Sequence, residues 1–210
     1  MAWPFAGAQA SAALARLRQS MENIQHYQHD NAALPLGLSR ADTLLGGGLD
    51  LGDLHEISPA APVHLGAAPG FAMALAALAG KHSRKDTGRE TLFIQPDFTR
   101  LEAGVPYGLG FDLFGLPARR RLLVRARRPI DALFAMEEAL KCAALESVIA
   151  ELPDDTADLT ATRRLSLAAR THDGIGLLLR HRTATQPSAA MTRWEVAAAT
   201  GERDAYGGLG

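Results

Sequence analysis

Two hydrophobic rhythms alternate along the chain. Short runs, most of them rich in apolar residues, recur at 53–58 (DLHEIS), 91–96 (TLFIQP), 121–126 (RLLVRA), 147–152 (SVIAEL), 174–181 (GIGLLLRH) and 192–199 (TRWEVAAA). Their length and aliphatic content predict strands. Between them lie segments with helical spacing. FAMALAALAGKH (71–82) is apolar nearly all round and predicts a buried helix. PIDALFAMEEALKCAAL (129–145) places Ile130, Leu133, Phe134, Met136 and Leu140 on one broad face and pairs Glu137 with Lys141 at i, i+4. Residues 159–171 read as a further helix, and a short one is expected near Leu101 within the glycine-rich stretch 99–116. Strands alternating with helices predict an α/β fold, a mostly parallel sheet flanked by helices.

Ahead of the first strand, residues 9–27 carry Leu14, Leu17, Met21 and Ile24 at helical spacing, with Arg16, Arg18 and Glu22 on other faces. This predicts an N-terminal amphipathic helix, a candidate docking element because its stripe has no obvious local core. HDNAALPLGLS (28–38) is turn-rich and reads as a linker. Three sections result: helix and linker at 1–38, a core domain at 39–199, and a glycine-rich flexible tail at 200–210.

Composition narrows the classes. Hydrophobic residues at 47% and charged residues at 21% indicate a globular chain. A formal net charge of −1 argues against general nucleic-acid binding by overall electrostatics. No apolar run is long enough to span a bilayer, so no membrane role is expected. The single cysteine, Cys142, excludes an internal disulfide framework and a multi-cysteine metal site, and fits a reducing cytoplasm. It lies in an apolar helix and reads as a small core residue. His26 and His29 have no ligand cluster around them, and Ser58 and Ser166 lack a nucleophile-elbow context, so neither a metal nor a serine hydrolase is expected.

The chemistry centres on a loop. Residues 36–58, LGLSRADTLLGGGLDLGDLHEIS, form a glycine-rich lead-in to the first core strand. In RecA-type nucleotide-binding domains such a strand runs into a phosphate loop, G-x-x-x-x-G-K-[ST]. With Gly70 as its last glycine, the lysine and hydroxyl positions hold Phe71 and Ala72, and the first glycine falls one residue late, at Gly66. Neither Phe nor Ala can supply positive charge to the β/γ-phosphates or a ligand to Mg²⁺. The expectation is a RecA-like core with a degenerate phosphate-binding loop, no nucleotide cofactor and no catalysis.

Other candidates fit both scaffold and site readings. Asp97, just beyond TLFIQP, and Glu151, near the end of SVIAEL, occupy positions where such ATPases place acids for water and Mg²⁺; both also read as polar strand ends. A divergent ATPase would use these two carboxylates with a borrowed cation such as Arg100. The segment PARRRLLVRARRP concentrates Arg119, Arg120, Arg121, Arg125, Arg127 and Arg128. These six could grip single-stranded DNA through its phosphates, or pair with acids of this domain or a partner.

Several segments together resemble the ImuA family, RecA-like proteins of bacterial damage-inducible mutagenesis operons: GLSRADTLLGGGLDLGDLHEI, PGFAMALAALAG, VPYGLGFDLFGL, RRLLVRARRPIDALFAMEEAL and LTATRRLSLAAR. The resemblance covers residues 10–199, and LLVRARRPIDALFAMEEAL is its most specific part. It implies a non-catalytic adaptor in SOS-induced translesion synthesis. The implied partners are RecA, an ImuB-type Y-family pseudo-polymerase and, indirectly, an error-prone replicative-type polymerase. Members of the family generally lack an intact phosphate loop, in agreement with Phe71 and Ala72. Many continue past the Trp194 strand into a further basic segment.

Overall fold

The computed structural model describes residues 32–82, 88–153, 155–182 and 185–200. The predicted helix 9–27, with Leu14, Leu17, Met21 and Ile24, and nearly all of the tail 200–210 lie outside these described residues.

A small antiparallel ribbon comes first, made of β1 (Ala33–Leu34) and β2 (Leu49–Asp50), with helix α1 (Ser39–Leu44) between them. The glycine-rich turn belongs to this ribbon. A Cβ on Gly48 would stand 2.2 Å from the carbonyl oxygen of Leu34, at a positive φ of +149°. Only glycine permits that approach.

The main sheet has six strands: β3 (Leu54–Pro59), β4 (Glu90–Pro96), β5 (Arg121–Ala126), β6 (Leu145–Glu151), β7 (Ile175–Leu179) and β8 (Thr192–Val196). Their order is β5-β4-β6-β7-β3-β8, and every neighbouring pair is parallel. The expected α/β architecture is thus present. β3, β6 and β7 are buried along their whole length; β7 runs apolar without alternation, whereas β3 and β6 also bury polar residues, among them His55, Glu56, Ser147 and Glu151. β5 and β8 are the edges and are more open.

Helices cover both faces. Helix α2 (Ala67–His82) packs on β3, β6 and β7, beside α4 (Gly108–Phe114). With Phe93, Ile149 and Leu177 from the sheet, this side forms one core. Alanines at 68, 72, 76, 77 and 79 are buried and let the helix sit close to the strands. On the other face α5 (Pro129–Leu140) packs on β4, β5 and β6, and α6 (Leu159–Ala169) on β3 and β7. Met136, Leu165, Ile94, Val148 and Leu178 form that second core. A Cβ on Gly176 would meet Leu140 Cδ2 at 2.9 Å, so this glycine lets the end of α5 rest on β7.

Four readings are corrected. Ile130 and Phe134 are 54% and 62% exposed, whereas the buried face of α5 is Ala132, Leu133, Met136, Ala139 and Leu140. At about 100° per residue, positions 130 and 134 point away from that face. Cys142 is exposed, because α5 ends at Leu140. The loop after the first core strand is also shorter than 59–70, since α2 begins at Ala67. Pro69 falls in its first turn, where a missing N–H costs nothing. The single helix expected near Leu101 is two, α3 (Asp97–Ala103) and α4, separated by Gly104 to Tyr107.

Candidate functional site

The strand order fixes where a site can form. β4 connects outward to β5, while its neighbour β6 connects the opposite way, to β7. Adjacent parallel strands whose connections diverge open a crevice at their carboxyl ends. Gln95 stands at that end of β4 and Glu151 at that end of β6, and they bridge the gap directly. Gln95 Nε2 donates to Glu151 Oε2 at 3.0 Å and to the Gly104 carbonyl at 2.9 Å. His181, just past β7, brings Nε2 to 3.8 Å from Glu151 Oε2.

These side chains form the polar floor of a cavity of about 230 Å³. Its walls are apolar: Leu65, Met73, Val105, Pro106 and Leu179, with Gly66 and Pro69 at the start of α2. Glu151 is 4% exposed. Burial pushes its carboxyl up to about 7, against which the Gln95 hydrogen bond pulls only weakly. An acid whose ionisation is disfavoured by burial therefore faces a small space with apolar walls.

Of the loop positions singled out in the sequence, Gly66 alone lines this cavity. Gly70 lies inside the first turn of α2. Phe71 turns its ring onto Trp194 of β8, with centroids 5.3 Å apart. Ala72 is fully buried against the sheet. Ala72 thus belongs to the apolar core on this face, and Phe71 packs against it.

Asp97 does not join Glu151 in this cavity. It opens α3 and is gripped by the guanidinium of Arg125, whose Nη2 lies 3.0 Å from Asp97 Oδ2. That hydrogen bond holds the Asp97 carboxyl below its ordinary range and raises Arg125. The arginine cluster is similarly divided. Arg128 forks onto Asp131 at 2.6 and 2.9 Å. Arg121 reaches the Gly108 carbonyl and Asp112, and lies over the Phe111 ring at 5.1 Å. Arg119 and Arg127 are exposed, and Arg120 lies beside Arg119 in one 3-10 turn. Three of the six candidate arginines are therefore occupied by acids of their own domain.

On the opposite face a buried ionic group ties the far edge together. Glu56 accepts from Arg180 Nη2 and from Arg193 Nε, both at 3.0 Å, joining β3, the end of β7 and β8. His55 is fully buried; its Nε2 donates to the Asp50 carbonyl at 3.0 Å and its Nδ1 accepts from the Thr192 hydroxyl at 2.8 Å. Burial lowers its pKa, so it is a neutral packing residue of the strand. Among the described residues no three His, Cys, Asp or Glu gather as a metal site, and no helix is long and apolar enough to cross a membrane.

Gln95 and His181 were not singled out by the sequence. Their signal is a polar residue at the carboxyl end of an otherwise apolar strand, the same signal that marked Glu151.

Fold and site define an α/β domain with an all-parallel six-stranded sheet and a small acid-floored cavity at its topological switch point. No family model matches the chain. Among curated proteins, Protein ImuA of Caulobacter vibrioides, from strain NA1000 / CB15N and from strain ATCC 19089 / CIP 103742 / CB 15, is 33% identical over 165 residues, 73% of this chain. The chain belongs to the ImuA family. It spans 63% of the length of these relatives. Among solved structures, the crystal structure of SulA from Pseudomonas aeruginosa is similar at 23% identity and a TM-score of 0.43, over 60% of this chain and 94% of that one.

Proposed function

We propose that this chain is a non-catalytic RecA-like adaptor of SOS-induced mutagenic translesion DNA synthesis. It acts through protein contacts with RecA and with an ImuB-type Y-family pseudo-polymerase, and through the latter with an error-prone replicative-type polymerase. Family membership supports the setting. The observation that carries the non-catalytic part is Phe71 packed on Trp194 beside a fully buried Ala72. A phosphate loop keeps those two positions turned towards its ligand. Here Ala72 is buried in the core and Phe71 packs against it.

The cavity agrees with this reading. At about 230 Å³ it is smaller than the roughly 300–1,000 Å³ of small-molecule sites, and it turns a carboxyl towards the space where phosphates would lie. A helix start is a ready anion site, but Pro69 removes one donor from it and Glu151 opposes negative charge. The divergent-ATPase alternative needs Asp97 and Glu151 together, and Asp97 is held by Arg125 instead. A single-stranded DNA role would have to work with Arg121, Arg125 and Arg128 already in intramolecular contacts.

The test is co-purification of the tagged chain with cognate RecA and ImuB. Capture of at least one is expected. The double change Leu17→Asp with Met21→Asp, on the proposed docking segment, should abolish capture and leave the melting temperature of the core unchanged. Failure to capture either partner, or Mg²⁺-dependent ATP hydrolysis that disappears in Glu151→Gln, would overturn the proposal.

A further inference from the structure

We infer that the cavity at the carboxyl ends of β4, β6 and β7 is a receptor for a single alkylammonium group, the chemistry of a lysine side chain. The inference goes beyond the adaptor reading and does not depend on it.

The donor and acceptor inventory of the floor points to this ligand. Gln95 spends its amide nitrogen on Glu151 and on the Gly104 carbonyl. Its remaining polar atom is an acceptor. Glu151 is an acceptor whenever it is ionised, and among the described residues no lysine or arginine pairs with it. A buried carboxylate without a cationic partner is costly, and supplying that partner recovers the cost. The neighbouring arginine does not fill the role: Arg180 turns its guanidinium to the other face of the sheet, onto Glu56 and the Ala157 carbonyl. The walls supply the other half of the ligand. Leu65, Met73, Val105, Pro106 and Leu179 suit a methylene stem, and the volume suits one side chain.

Titration follows from the same geometry. Three charged or titratable residues line the cavity, Glu151, His181 and Arg180, the last with its guanidinium on Glu56 and the Ala157 carbonyl, and the lining residues from α2 and from the 103–106 turn carry no charge. With Glu151 poised at about 7 by burial, a bound ammonium draws it into the ionised form. Ionisation of Glu151 makes binding stronger at pH 8 than at pH 6.

The test is a titration of the ¹⁵N-labelled full chain by two-dimensional NMR. The probes are Nα-acetyl-lysine N-methylamide, n-butylammonium, and the norleucine counterpart, which keeps the stem and lacks the charge. Saturable shifts of Gly66, Gly104 and the Gln95 side-chain amide are expected with both cations and not with norleucine. Glu151→Gln, nearly isosteric, should keep a dispersed spectrum and weaken cation binding roughly tenfold or more. Tighter binding of the lysine probe would identify a peptide as the source of the cation, and tighter binding of n-butylammonium a free amine. Equal response to norleucine, unchanged affinity in Glu151→Gln, or no cation response in a folded sample would overturn the inference. Titrating Mg²⁺–ATP into the same sample separates the two proposals. Nucleotide binding at these residues overturns the adaptor reading, whereas silence towards amine and nucleotide alike overturns only the cation receptor.

Discussion

Glu151 is the residue on which the site turns, and its environment has a measurable consequence for stability. Its ordinary carboxyl value is 4.5, and burial raises it to about 7 in the folded chain. The folded state therefore holds the proton more tightly than the unfolded one. Stability from this group is complete below about pH 4.5 and is lost as pH rises through about 7. At 1.36 kcal/mol per pKa unit the loss is of order 3 kcal/mol. Glu151→Gln should flatten the decline in melting temperature between pH 5 and pH 8 and leave the mutant the more stable protein at pH 8. An identical slope in both proteins would mean that Glu151 is solvated and ionised throughout. The sequence marked Glu151 by its place at a strand end. It could not show that Gln95 would reach across from β4, because that contact depends on the strand order β4-β6, set by long-range packing. Asp97 carried the same strand-end signal and went elsewhere, since Arg125 on the neighbouring β5 offers it a two-pronged partner.

At the scale of elements, aliphatic strands were the readable part. RLLVRA coincides with β5, and TLFIQP with all but the first residue of β4. Such runs carry their own signal, with β-branched and aromatic residues bounded by polar turns. Helix α5 was read less well. Its large apolar residues attracted the assignment of the buried face, while the positions against the sheet include Ala132 and Ala139, which a size-weighted reading passes over. The energetic difference is testable by urea unfolding. Met136→Ala, at a fully buried position, should cost about 2–5 kcal/mol. Phe134→Ser should change stability by no more than about 0.5 kcal/mol. Comparable losses at both positions would contradict the orientation of α5. The start of α2 was misplaced for a different reason. Proline and glycine at 69 and 70 look like loop residues in a sequence, yet the first turn of a helix tolerates both.

For the whole molecule, the α/β class followed from the alternation of elements, and the all-parallel sheet with a core on each face agrees with it. The glycine-rich lead-in was suggestive for a reason other than phosphate binding, since Gly48 serves the close β1–β2 ribbon. The crevice at the carboxyl ends of β4 and β6 is floored by the buried carboxyl of Glu151. The proposed adaptor should be indifferent to nucleotide. The most direct measurement is equilibrium binding of a fluorescent ATP analogue to the full chain, with and without Mg²⁺. No binding up to millimolar concentrations is the predicted result. Micromolar, Mg²⁺-dependent binding would contradict it, and would mean that a nucleotide, rather than the bare fold, controls what this protein holds.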